Sequence, residues 1–91
     1  MISRIAIVNR GEAAMRLIHA VRELNAQGGP QIATVALHTD GEASAMFVRE
    51  ADAAHALGPA ADRPYLDLAV LEDALARTGA DAAWVGWGFV A

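Results

Sequence analysis

The feature that most constrains this chain is its opening stretch. Four apolar residues, Ile5-Ala6-Ile7-Val8, run without alternation into the polar turn Asn9-Arg10-Gly11-Glu12. An unbroken apolar strand hides both of its faces, which a parallel sheet covered by helices allows. A helical pattern follows from Ala13, and Glu12 stands in the first turn, where an acid complements the helix dipole. Strand, turn and helix together put Asn9, Arg10 and Gly11 at the carboxyl edge of the first strand. Open α/β sheets bind their ligands at that edge.

The pattern repeats along the chain. Ala14, Leu17, Ile18, Val21 and Leu24 make one apolar stripe, whereas Glu12, Arg16, His19 and Glu23 make a polar one with two i,i+4 pairs. The run from Asn25 to Pro30, with two glycines and a proline, stops this helix. Residues 32–37 read as a second buried strand, ended by His38-Thr39-Asp40-Gly41. A short helix is expected over 43–50, capped from the Asp40/Ser44 region, with Ala43, Met46, Phe47 and Val48 inward. A weaker third strand covers 54–57 and closes at Gly58-Pro59. Asp67 is a good N-cap for a third helix with Leu68, Leu71, Leu75 and Thr78 inward, stopped by Gly79. Residues 82–85 form a fourth strand before Gly86-Trp87-Gly88-Phe89. Strands and helices alternating βαβαβαβ predict an α/β fold, a Rossmann-like, doubly wound parallel sheet with right-handed crossovers.

Composition excludes several kinds of chemistry. All seven basic residues are Arg, so no Lys can grip a phosphate or form a Schiff base, and the absence of Cys removes thiolate and disulfide chemistry. A net charge of −4 argues against nucleic acid or an anionic membrane as partner. No apolar run reaches bilayer length and the start lacks a signal-peptide core, so a cytoplasmic domain is expected. Ninety-one residues that are 55% hydrophobic make one domain, marginal alone and with apolar surface meant for a neighbour.

The first turn holds one glycine where the dinucleotide fingerprint needs three, so an independent NAD site fails. Asn9-Arg10-Gly11-Glu12 reads either as a tight turn or as the lining of a crevice. Two glycines around Trp87 let backbone approach a ligand closely; equally, the aromatics could bury against following chain. His19, His38 and His55 are scattered without ligand spacing, so no metal site is expected. Ser3 and Ser44 are in no nucleophile elbow. Arg16, His19 and Glu23 read as a solvated helix face or an interface.

Taken in order, these motifs resemble the N-terminal domain of biotin carboxylase. The family opens with a strand and A-N-R-G-E-I-A-x-R, where this chain has Val8-Asn9-Arg10-Gly11-Glu12-Ala13-Ala14-Met15-Arg16. The likeness runs through Arg22-Glu23-Leu24, Thr34-Val35-Ala36, Val48-Arg49, Ala51-Asp52, Gly58-Pro59-Ala60, Tyr65-Leu66 and Thr78-Gly79-Ala80-Asp81-Ala82. The family's H-P-G-Y-G-F-L-S-E-N is matched by Trp84-Val85-Gly86-Trp87-Gly88-Phe89-Val90-Ala91. The resemblance implies an ATP-grasp ligase that uses ATP, magnesium and bicarbonate to carboxylate biotin on a carrier domain, within an acyl-CoA or pyruvate carboxylase. It implies that residues 1–91 are the pre-ATP-grasp domain, truncated at its C-terminal end and inactive alone. ATP-grasp domains of the same protein, a biotin carboxyl carrier and a carboxyltransferase would be its partners. Gly86, Trp87 and Gly88 inherit the neighbourhood of the biotin pocket; no residue here inherits a catalytic or metal-binding role. Asn9, Arg10, Gly11 and Glu12 form the domain-edge turn, and Arg16, His19 and Glu23 mark a possible subunit interface in an oligomer.

The chain departs from the family pattern at informative places. Trp87 replaces a Tyr, exchanging a hydroxyl for an indole donor, and Trp84-Val85 replaces His-Pro. Pro64-Tyr65-Leu66-Asp67 stands for Ser-Tyr-Leu-Asn. His19 stands where relatives carry a second interface Arg, which weakens the expectation of that dimer. Two other readings stay open on the residues alone: a stand-alone flavodoxin-like interaction module, and the leading domain of another ATP-grasp ligase of the carbamoyl-phosphate synthase type.

Overall fold

The structure, a computed structural model, describes residues 2–29 and 31–86. Four strands, β1 (Arg4–Ile7), β2 (Ala33–Thr39), β3 (Ala53–Gly58) and β4 (Ala82–Trp84), form one sheet in the order β3-β2-β1-β4. Every pairing is parallel: Ile5 lies opposite Thr34 and Ala82, and Leu37 opposite His55. Helices α1 (Gly11–Ala26), α2 (Met46–Glu50) and α3 (Leu68–Thr78) supply the crossovers.

The two faces of the sheet are filled separately. Ile7 and Ala36 pack with Ala14 and Ile18 of α1 and with Phe47 and Val48 of α2. On the other face Ala6, Val8, Val35 and Leu37 pack with Tyr65 and with Leu71 and Ala74 of α3. Alternate residues of β1 and β2 thus feed opposite layers, and the expected doubly wound parallel sheet is what forms.

Side chains tie the layers at the amino edge. The Asp81 carboxylate accepts from the N–H groups of Ser3 and Arg4 and from the Ser3 hydroxyl, the last at 2.8 Å. The backbone N–H of Arg4, then that of Ser3, favours the charged form and holds this carboxyl below its ordinary range. Asp52 accepts from Thr34 N–H at 2.7 Å, and its own N–H donates to the Thr34 hydroxyl. Asn25 ends α1 by donating to Ile32 O and accepting from Ile32 N–H.

Several expectations need correction. The helix expected over 43–50 is shorter: a 3₁₀ turn takes Asp40–Glu42 and α2 starts at Met46 behind Ala45, which makes no side-chain cap. Ala43 is therefore exposed outside the helix, and Met46 is 59% exposed, while Phe47 and Val48 are buried as expected. Leu24 and Leu68, assigned to inward stripes, are 53% and 66% exposed. Leu17, Leu75 and Thr78 are half-buried, and the Thr78 hydroxyl turns back to Ala74 O at 2.8 Å. Asp67 caps α3 as expected, accepting from the N–H groups of Ala69 and Val70. Strand ends shift by a residue or two, most at β2, which runs on through His38 and Thr39.

Candidate functional site

The chain leaves β1 through α1 toward β2 on one side, whereas β4 joins β1 from the other side by way of α3. The carboxyl ends of β1 and β4 are thus the point where strand order reverses, and the following turns diverge there into a crevice. Asn9 stands in that crevice and is 7% exposed. Its Nδ2 donates to Val85 O at 2.9 Å, and its Oδ1 accepts from Arg10 N–H at 2.8 Å. One residue earlier Val8 N–H donates to Trp84 O at 2.8 Å, which closes the β1–β4 ladder. The turns from the first and last strands therefore meet at one rim.

Glycine is required at Gly86. Its φ is +74°, and a Cβ there would lie 2.7 Å from Asn9 Nδ2 and 3.2 Å from the Trp84 ring. Gly11, at φ +60°, opens α1 and takes the awkward angle expected of the turn. Asn9, Glu12, Ala13, Arg16, Trp84 and Gly86 line a cleft of about 340 Å³. Glu12 and Arg16, one turn apart on α1, pair with each other at 2.8 Å, both exposed. With Arg10 N–H engaged and Glu12 in the first helical turn, the start of α1 presents a side-chain carboxylate rather than an open cradle of N–H groups. A phosphate does not fit that arrangement.

The remaining site residues are more dispersed. Arg10 is half-exposed and pairs with Glu42 at 3.4 Å, on the β2 side of the rim. His19 and Glu23 are exposed on α1, roughly one and two turns beyond Arg16, so the proposed interface face is one outward stripe. Trp87 and Gly88 lie outside the described residues.

Sequence reasoning missed the polar group around Glu42. That carboxylate accepts from the Thr39 hydroxyl at 2.9 Å and from Tyr65 OH at 3.4 Å, and Tyr65 OH donates to Leu37 O at 2.7 Å. The Thr39-x-x-Glu42 spacing is that of a capping box and could have flagged it. Burial, then the Glu42 charge, raises the Tyr65 phenol well above its ordinary value. A raised folded-state pKa means that the folded form holds the proton longer than the unfolded chain. Stability from this phenol is therefore complete below about pH 10 and lost as the pH climbs above it. Urea midpoints measured at pH 8 and pH 10.8 should fall more steeply for the unmutated domain than for Tyr65→Phe. Equal slopes would deny the coupling.

A wider cavity, of about 570 Å³, lies between β3 and α3, but its charged Asp73 and Arg77 satisfy each other at 2.6 Å. Among the described residues no three His, Cys, Asp or Glu side chains are grouped to hold a metal ion. No described helix is long and apolar enough to cross a membrane.

Comparison with known proteins follows this geometry closely. Residues 1–91 match the family model described as "Biotin carboxylase, N-terminal domain". The mitochondrial propionyl-CoA carboxylase alpha chain of Rattus norvegicus is 40% identical over 88 residues, covering 96% of this chain and 11% of that protein. Biotin carboxylase 1 of Bacillus subtilis is 39% identical, over 100% of this chain and 19% of its own length. Among solved structures, the biotin carboxylase of Campylobacter jejuni, in a complex with beta-gamma-ATP, superposes with a TM-score of 0.84 at 27% identity. That alignment covers 98% of this chain and 19% of the other. The chain thus spans between a tenth and a fifth of the length of these relatives. Neither the flavodoxin-like module nor the carbamoyl-phosphate synthase reading is favoured.

Proposed function

Because the chain belongs to the biotin carboxylase N-terminal domain family, we propose that it is the leading scaffold domain of a biotin-dependent carboxylase. The observation that carries this reading is the full-length family match laid over one geometric fact. The family-like turn Asn9-Arg10-Gly11-Glu12 and the strand exit Val85-Gly86 meet at the switch point of the sheet.

In this reading the complete protein uses ATP, magnesium and bicarbonate to carboxylate biotin, and ATP supplies the phosphoryl group that activates bicarbonate. The described residues of this domain do not offer a phosphate cradle, so nucleotide and metal are assigned to ATP-grasp domains of the same protein. What this chain does itself is structural. Its sheet fixes the rim, and Asn9 holds the strand exit Val85-Gly86 there; Gly86, Trp87 and Gly88 are assigned to the neighbourhood of the biotin pocket on the family likeness alone. The carrier and carboxyltransferase units deliver biotin and receive the carboxyl group. Arg16, His19 and Glu23 serve as a contact face between subunits. The cytoplasmic location expected from the sequence is retained.

The test is ATP turnover by the complete protein, with bicarbonate present and free biotin added. Stimulation by biotin is expected, and its absence in a folded protein would overturn the reading. Trp87→Ala should raise the KM for biotin about tenfold, the value of one lost aromatic contact, and spare the fold. Unchanged kinetics would remove Trp87 from the pocket.

A further inference from the structure

The turns that follow β1, β2 and β3 meet at a second cavity on the carboxyl edge of the sheet, beside Tyr65 of the α3 layer. Its volume is about 420 Å³. The charged residues that line it are Arg10 and Arg63; no acid does, although the chain as a whole carries a net charge of −4. Glu42 holds Arg10 at the mouth and spends its carboxylate on the Thr39 hydroxyl as well. Among the described residues no acid pairs with Arg63. Ala60, Pro64 and Leu66 make the apolar wall, and Leu66 is 58% exposed. Arg63 is also the one described non-glycine residue at positive φ, +48°. Its N–H donates to Ala60 O and its carbonyl accepts from Leu66 N–H, both at 3.0 Å, so the backbone alone bends the chain between two 3₁₀ turns. Glycine or asparagine would take that angle with less strain, so a long cation kept there calls for a use of its own.

We infer that this cavity binds a small organic carboxylate. The anionic head lies between the Arg63 and Arg10 guanidinium groups, and a short apolar body lies on Pro64 and Leu66. A guanidinium offers paired, planar donors that match a carboxylate, and the two charges strengthen those bonds. The apolar wall separates such a ligand from inorganic phosphate, which has no apolar face to set against it. A space of this size falls within the usual range of small-molecule sites. Nothing in the site depends on the biotin carboxylase reading, and the Asn9–Gly86 rim takes no part in it.

Saturation-transfer NMR on the complete protein tests the assignment, with butyrate as the probe and its own protons as the readout. Saturable transfer to butyrate is expected, with butanol and inorganic phosphate each competing about tenfold more weakly. Arg63→Asn removes the cation and leaves a residue suited to the left-handed angle. It should weaken butyrate binding about tenfold, the value of one charge-assisted contact, without lowering Tm. Leu66→Ala, at an exposed side chain, is the second variant. It should weaken butyrate about threefold and leave acetate nearly unchanged, because acetate is too short to use the wall. Butyrate binding that Arg63→Asn leaves intact would overturn the assignment, since the anion would then be held elsewhere in the protein. Phosphate competing as well as butyrate would also overturn it, by reducing the site to a bare positive patch. So would the absence of saturable binding, or equal losses of butyrate and acetate in Leu66→Ala.

Discussion

Leu37→Ala should lower the unfolding free energy of this domain by about 2–5 kcal/mol. Leu37 is fully buried in β2 and packs in one cluster with Val8, Val35, Tyr65 and Leu71. β2 is hydrogen-bonded on both sides, to β1 and β3, so the backbone around the lost side chain has little freedom to collapse into the space. The Leu37 carbonyl also receives the Tyr65 hydroxyl, and a cavity beneath that contact would loosen it. A domain of this size has roughly 5–14 kcal/mol in all, so the substitution removes a large share of its stability. Urea unfolding of the 91-residue chain measures the loss. Leu24→Ala is the control, because Leu24 is 53% exposed and should change the midpoint by less than about 0.5 kcal/mol. A loss below about 1 kcal/mol for Leu37→Ala would mean that the two-layer core is drawn wrongly.

The contrast between Leu37 and Leu24 shows what the sequence could and could not reveal. Unalternating apolar runs placed β1 and β2 in the interior, because only a sheet covered on both faces accepts them. Asn9, Arg10 and Gly11 were legible at the rim for the same reason: a strand that ends in a turn fixes where the turn must sit. Periodicity then put Leu24 on the inward stripe of α1, but it carries no information on how far the opposite layer reaches. The 16 residues of α1 span roughly 24 Å, whereas the four of β1 span roughly 13 Å, so the last helical turn outruns the strand beneath its start. Met46 failed differently. The capping interaction of Thr39 with Glu42 took residues 40–42 into a 3₁₀ turn and left α2 too short for a full stripe. Asp81 and Asp52 were silent because their partners are 77–78 and 18 residues away, and no local spacing signals such a contact. The Asn9–Val85 bond spans 76 residues and was silent for the same reason, although both of its ends had been placed on one edge.

Gly86→Ala tests that edge most severely. Two penalties should appear together. An L-residue held at φ +74° costs about 1–2 kcal/mol, and the new Cβ, 2.7 Å from Asn9 Nδ2, forces the amide off Val85 O at a further cost of about 1 kcal/mol. The Trp84 ring, 3.2 Å from the same point, blocks escape on the other side. A total loss of about 2–3 kcal/mol is expected in urea unfolding. The two penalties separate in a double-mutant cycle with Asn9→Ala. Once the amide is gone the clash with it is gone, and Gly86→Ala should cost only the backbone term, giving a coupling of about 1 kcal/mol between positions 9 and 86. Additive losses would mean that the Asn9 amide and the residue 86 backbone do not compete for one space. The amide would then keep its hold on Val85 O whichever residue stands at 86, beside the independent Val8–Trp84 bond of the ladder.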